Sequence, residues 1–175
     1  MSTAVNRFNN DLRYGDGDHP RQWHLTPTYV LDLVRRDFLG AGGINLDPCT
    51  FPDNPTQAKR FYTVNDDGLR QPWGGATFCN PPYGKAREPW VERCIYEGQW
   101  EPVILLIPAA TDTRIFQRAA RSATAVVFIQ GRVKFGTRRE NRRQHAASHP
   151  SALIGWNTDL ENCRELGIRM VTRGL

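Results

Sequence analysis

No apolar run in this 175-residue chain approaches the ~20 residues needed to cross a bilayer, so no membrane-spanning helix is expected. Residues 1–13 are polar and carry no apolar h-region, so no signal peptide is expected either. Cysteine is scarce. Cys49, Cys79, Cys94 and Cys163 are the whole complement, and no two lie within a few positions, which removes the closely spaced pair of a zinc site. Three of them sit in apolar or helical stretches, where a thiol behaves as a small hydrophobe. The expectation is a reduced, cytoplasmic protein without structural metal. His19, His24, His145 and His149 are scattered and lack carboxylate or cysteine neighbours at ligand spacing, so they read as loop or surface histidines. Internal repeats, low-complexity tracts and credible domain boundaries are also missing.

What is there suits one globular domain. Hydrophobic residues make up 39% of the chain and charged residues 23%, and the mean hydropathy is -0.55. The net charge is +5 and the pI about 9.3. That balance suits a polyanionic partner, although charge alone does not name one.

Residues 1–21 are rich in Asn, Asp and Gly without periodicity and read as a mobile N-terminal arm, with the folded domain over residues 22–175. A helix is expected from Thr26-Pro27 to about Leu39, with Thr26 as its cap and Pro27 in its first turn. Val30, Leu31, Val34 and Phe38 form its apolar side, and Gly40, Gly42 and Gly43 stop it. Strands are expected at residues 44–47, 76–79, 103–107, 124–129, 151–156 and 168–172. Helices are expected at residues 89–96, after Thr111 as a cap, and near Asp159. Residues 51–63 read as irregular, and residues 131–150 as a basic loop. Residues 103–107 are continuously apolar, the mark of a strand buried on both faces. Alternating strands and helices argue a compact α/β domain whose sheet carries helices on both faces.

The informative stretch is Thr77-Phe78-Cys79-Asn80-Pro81-Pro82-Tyr83. Open α/β sheets bind ligands at the carboxyl ends of their strands, and this strand delivers an amide, two prolines and an aromatic there. An adenine amino nitrogen is a poor nucleophile because its lone pair is delocalised into the ring. Two acceptors set against its N–H bonds pull it toward tetrahedral geometry. The Asn80 side-chain oxygen is one candidate acceptor and the Pro81 carbonyl the other. Consecutive prolines hold that carbonyl rigidly and restrict Asn80 as well. Tyr83 offers a face for base stacking. The same string also reads as a proline-rich turn with Tyr83 as packing.

Asn80-Pro81-Pro82-Tyr83 resembles the catalytic motif of DNA amino-methyltransferases. The wider chain resembles the small phage-type, Dam-like DNA N6-adenine methyltransferases. The matching segments are Trp23-His24-Leu25-Thr26-Pro27, Leu46-Asp47-Pro48-Cys49, Asp66-Asp67-Gly68-Leu69 with Trp73, and Phe78 through Tyr83. Further along come Leu106-Ile107-Pro108 with Thr111-Asp112-Thr113, Gly131-Arg132-Val133-Lys134-Phe135, and Ser151-Ala152-Leu153 with Trp156. Separately they are weak; their shared order over residues 22–156 gives them weight.

The resemblance implies a class I, Rossmann-like methyltransferase fold and S-adenosylmethionine as cofactor. The activity it implies is methyl transfer to the exocyclic amine of adenine in double-stranded DNA after base flipping. It puts Trp23, Thr26, Pro27, Asp47 and Pro48 at the methionine end of the cofactor, with Asp47 facing the ammonium. Asp66 or Asp67 matches the acceptor for the cofactor's adenine amine; Asp-Asp-Gly is also a strong turn signal. The usual Gly-rich turn after Asp47 is replaced by Thr50-Phe51-Pro52-Asp53-Asn54-Pro55. Only 33 residues separate Asp47 from Asn80, short for the usual strands, so one strand and the ribose-binding acid are expected to be missing or rearranged.

On the DNA side, Arg138, Arg139, Arg142 and Arg143 form the densest basic stretch, with Asn141 and Gln144 between and beside them. Lys85, Arg132, Lys134 and Phe135 join them as expected DNA-facing residues. Phe135 reads equally as a partner for the flipped adenine or as core. A phage-encoded enzyme would work in the bacterial host cytoplasm, and restriction-modification is one setting for it. No membrane and no required protein partner are implied. The competing readings are a cytosine-amino or RNA adenine methyltransferase, and a DNA-binding module that has lost catalysis.

Overall fold

The computed structural model describes residues 25–83, 86–136 and 145–172. The elements in chain order are helix α1 (Thr28–Asp37), strands β1 (Leu46–Asp47), β2 (Arg60–Phe61) and β3 (Thr77–Cys79), helix α2 (Arg87–Glu97) and strand β4 (Val103–Pro108). Helix α3 (Arg114–Ser122) and strands β5 (Ala125–Ile129), β6 (Lys134–Phe135), β7 (His145–Ala146), β8 (Ser151–Trp156) and β9 (Gly167–Val171) complete the set. The expected N-terminal arm lies outside the described residues, as do Trp23 and Lys85 and all four arginines of the 138–143 stretch.

A seven-stranded sheet runs in the order β2-β1-β3-β4-β8-β5-β9. β2, β1, β3 and β4 are mutually parallel. β8 then enters antiparallel between β4 and β5, and β9 pairs antiparallel with β5 at the far edge. β6 and β7 form a separate two-stranded ribbon. The middle strands are buried throughout, and β4 reads as the continuous apolar run that a strand covered on both faces requires.

The cover is helical on both sides. Val30, Leu31, Leu33 and Val34 of α1 pack with Phe78, Ile104, Leu106, Val127 and Leu153 on one face. Trp90, Val91 and Cys94 of α2, with Phe116 and Ala119 of α3, pack with Cys79, Leu105, Ile107 and Ile154 on the other. Asp37, the last residue of α1, accepts hydrogen bonds from Asn162 and from the Cys163 backbone, which fixes the short 3-10 helix Cys163–Leu166 beneath it.

Several local expectations need correction. Pro27, not Thr26, is the N-cap of α1: its ψ of 148° is extended, and its carbonyl accepts from the Val30 and Leu31 amides. The helix ends at Asp37, and a 3-10 turn over Leu39–Ala41 runs into left-handed Gly42. α3 is capped by Thr113 rather than Thr111; its hydroxyl accepts from the Phe116 amide. The helix expected near Asp159 is the 3-10 turn at Cys163. The stretch expected to be irregular contains β2, and the basic loop contains the β6–β7 ribbon.

The topology bears directly on function. From β1 the chain goes outward to β2, then returns to lay β3 on the opposite side of β1. The carboxyl ends of β1 and β3 therefore flank a topological switch point, where open sheets leave a crevice for ligands.

Candidate active site

That crevice is a concave site lined by residues from four segments. Leu25 and Thr26 come from before α1, Asp47 and Cys49 from the end of β1, Thr50, Phe51, Pro55 and Thr56 from the following loop, and Asn80, Pro81 and Pro82 from the end of β3. Two sequence motifs 33 residues apart thus share one wall because β1 and β3 are paired neighbours.

Asp47 sits on the floor with its side chain 3% exposed. The Thr56 hydroxyl donates to its Oδ2 at 2.8 Å, and the Cys49 amide donates to its Oδ1 at 3.2 Å. Burial pushes its pKa up to about 6, against the opposing pull of those donors. Such a carboxylate is a latent site for a cation, because a positive partner would relieve the desolvation cost.

The loop after β1 holds its shape without the glycines it lacks. Asn54 takes a positive φ of 47°, a conformation Asn tolerates well. Its side chain then copies a backbone pairing: Nδ2 donates to the Ala58 carbonyl, and Oδ1 accepts from the Ala58 amide. The same loop brings Thr56 to Asp47. Sequence reading missed Thr56, because nothing in the local pattern distinguishes it from any loop threonine; the only available hint was Asn54 between two prolines.

Gly68 explains why Asp66-Asp67-Gly68 belongs with Pro48. A Cβ on Gly68 would lie 1.9 Å from the Pro48 carbonyl oxygen, so only glycine permits this approach. The Gly68 carbonyl accepts from the Trp73 indole at 2.8 Å, and Trp73 stacks on Trp90 of α2. Asp66 is exposed and accepts from both the amide and the hydroxyl of Thr63, at 2.7 Å each, which lowers its pKa. Asp67 has a φ of 52° and pairs with Arg70. Both aspartates build the turn after β2, and neither lines the crevice.

At the end of β3, Asn80 Nδ2 donates to Thr26 Oγ1 at 3.0 Å. Pro81 and Pro82 are buried. Tyr83 is half-buried against the α1-side core, and burial raises the pKa of its hydroxyl. Its ring meets Phe135 edge-on at 6.0 Å between centroids. Phe135 is 1% exposed and belongs to the core. That contact leaves no gap for a base between the two rings, so the core reading of Phe135 replaces its expected place against the adenine. Lys134 is exposed on β6, and Arg132 is exposed beside it with its guanidinium donating to the Ser148 carbonyl.

Cys49 and Cys79, remote in sequence, bring their sulfurs within 3.6 Å behind the crevice. Burial raises both thiol pKa values, which keeps them protonated and poorly nucleophilic.

A family model described as DNA N-6-adenine-methyltransferase (Dam) matches residues 17–172. No curated protein matches the chain.

Proposed function

The chain belongs to that family of DNA N-6-adenine-methyltransferases, and from this premise we propose that it transfers a methyl group from S-adenosylmethionine to adenine in duplex DNA at the β1–β3 crevice. The observation that carries the reading is the joining of Asp47 and Asn80 in one concave wall. The donor set fits the cofactor: a buried carboxylate with a raised pKa suits its ammonium. Bound there, the cofactor would supply an activated methyl on a sulfonium, which needs no metal for transfer.

The protein's own groups do the rest. Asp47 holds the ammonium, with Thr56 and the Cys49 amide fixing the carboxylate. Pro48, Thr26 and Pro27 shape the methionine end, and Trp23 is the proposed fourth member. Asp66 and Asp67, in the turn after β2 rather than in the crevice lining, remain the proposed partners of the cofactor's adenine amine. Asn80 Oδ1 and the Pro81 carbonyl would accept from the two N–H bonds of the target amine and free its lone pair; the cofactor would give up its methyl with the S–CH₃ bonding pair returning to sulfur, leaving a neutral thioether. The displaced proton leaves to solvent. Pro82 stiffens the turn. Tyr83 is the proposed stacking partner of the flipped adenine. Arg132, Lys134, Lys85, Arg138, Arg139, Arg142 and Arg143 are the proposed DNA contacts. The strand order, with a switch point between β1 and β3, supports a class I, Rossmann-like fold.

The test is Asn80→Ala. We expect it to abolish methyl transfer while leaving S-adenosylmethionine affinity within a few-fold by calorimetry. Near-normal turnover by a folded variant would overturn the mechanism.

A further inference from the structure

Helix α2 turns one stripe toward the sheet. Trp90, Val91 and Cys94 are its buried residues, spaced as neighbours on one helical face. Arg87 stands three places before Trp90, four before Val91 and seven before Cys94, so it continues that stripe to the amino end of the helix. An apolar side chain would extend the core at this position. The chain places a guanidinium there instead, and Arg87 is half-buried.

Among the described residues, no hydrogen bond or ion pair engages that guanidinium. The acids of its own helix are committed elsewhere or point away: Glu92 pairs with Arg118, Glu97 pairs with Arg93, and Glu88 is exposed. Desolvation lowers the Arg87 pKa, with the neighbouring Tyr83 hydroxyl opposing. Taking part of a charge out of water without a partner costs stability. A cation in the first turn also opposes the helix dipole. Two local penalties thus fall on one position with no compensating partner among the described residues, which points to an anion that arrives from outside.

The direction of the side chain says where that anion lies. Helical side chains tilt toward the amino end of their helix. The amino end of α2 follows β3 and the turn from Asn80 to Tyr83, so Arg87 leans toward the carboxyl edge of the sheet, where the crevice opens. It lies close enough to Tyr83 for each side chain to perturb the other's ionisation. A base drawn out of a duplex toward Tyr83 brings its sugar and flanking phosphates to this rim. We propose that Arg87 binds a backbone phosphate flanking the target adenine, at the rim of the crevice beside Tyr83. This rests on the methyl-transfer reading above and adds a substrate contact to it. The planar guanidinium matches a phosphate through two parallel hydrogen bonds. A phosphodiester is favoured over the cofactor's carboxylate because Arg87 does not line the crevice that holds Asp47.

The experiment compares Arg87→Gln and Arg87→Lys with wild type. The probe is a short duplex carrying a mismatched adenine, which is extruded at lower cost than a paired one. Its binding is titrated over a range of salt concentrations. Arg87→Gln should bind roughly tenfold more weakly, as loss of one charge-assisted contact requires, and its log–log salt slope should be smaller by about 0.9, one phosphate's worth. Arg87→Lys keeps the charge without the fork, so it should restore the slope and only part of the affinity. The ligand-free glutamine variant should melt no lower than wild type, because a charge without a partner has been removed. Calorimetry should find S-adenosylmethionine affinity within about 3-fold of wild type in both variants.

An unchanged salt slope in a folded Arg87→Gln protein would overturn the inference. Weakened cofactor binding with the slope intact would overturn it by assigning Arg87 to the cofactor's carboxylate. A lower melting point with the slope intact would reduce Arg87 to packing and overturn it too. Failure of the underlying reading has a different signature: near-normal turnover by Asn80→Ala, while Arg87→Gln still loses its share of the slope.

Discussion

At Asp47 a carboxyl group is buried against a hydroxyl and a backbone amide, and its pKa is pushed up to about 6 by desolvation. The sign of the consequence follows from that direction. A carboxyl pKa raised by folding adds stability below the unfolded value near 4; that contribution is lost as pH rises through about 6. At pH 7.5 the ligand-free protein bears a buried anion, which the ammonium of the proposed cofactor would relieve. We therefore predict constant cofactor affinity between pH 7 and 8, weakening toward about tenfold per pH unit below pH 6. Asp47→Asn should bind weakly and show no such slope in calorimetry; a parallel slope in the variant would assign the pH dependence elsewhere. Tyr83 carries a second residue-scale prediction. Tyr83→Phe should be mild, since the ring face and the contact with Phe135 survive. Tyr83→Ala forfeits about 1–3 kcal/mol of base stacking. Because the ring also packs on the core, the alanine variant should melt lower as well. Lost stacking is separable from lost packing: a mismatch at the target adenine should partly restore its rate, as extrusion is then cheaper. No restoration would leave Tyr83 as packing alone.

The elements that meet at the crevice are very short strands, and their positions depend on the turns between them. Gly68 is the tightest of these joints, with the Pro48 carbonyl where a side chain would begin. Gly68→Ala must displace Pro48 or the turn. We predict a loss of about 1–3 kcal/mol in stability, as for overpacking, together with weaker cofactor binding. Unfolding in urea and calorimetry on the same sample check both, and a loss of stability without a change in affinity would separate Pro48 from the cofactor. Much of this level was legible in the sequence. The apolar run of β4 announced a buried strand, and Asn80 through Tyr83 was found at a strand end as expected. What escaped detection was set by tertiary pairing. β2 has one half-buried and one exposed residue and no periodic pattern to read. Thr26 resembled a helix cap because Thr-Pro before a helix usually is one; the extended ψ of Pro27 shifted the cap by one residue and left the hydroxyl for Asn80. Phe135 was ambiguous because an aromatic on a two-residue strand can face either way, and only its burial decides.

For the whole molecule, the proposed function asks a chain with a net charge of +5 to hold cofactor, extrude a base and grip a duplex. Neutralising Arg138, Arg139, Arg142 and Arg143 together should weaken duplex binding and flatten its salt dependence, by about 0.9 in log–log slope per phosphate that the variant no longer neutralises. An unchanged slope would turn that stretch away from DNA. The sheet order gives the molecule one crevice at a switch point, with Asp47 and Asn80 on the same wall. The central claim is that this wall methylates adenine. It is tested most directly by incubating unmethylated duplex DNA with the protein and S-adenosylmethionine, digesting to nucleosides and weighing the products by mass spectrometry. We predict N6-methyladenine with the wild-type chain and none with Asn80→Ala; methylated cytosine, or N6-methyladenine at equal yield from the variant, would contradict the account.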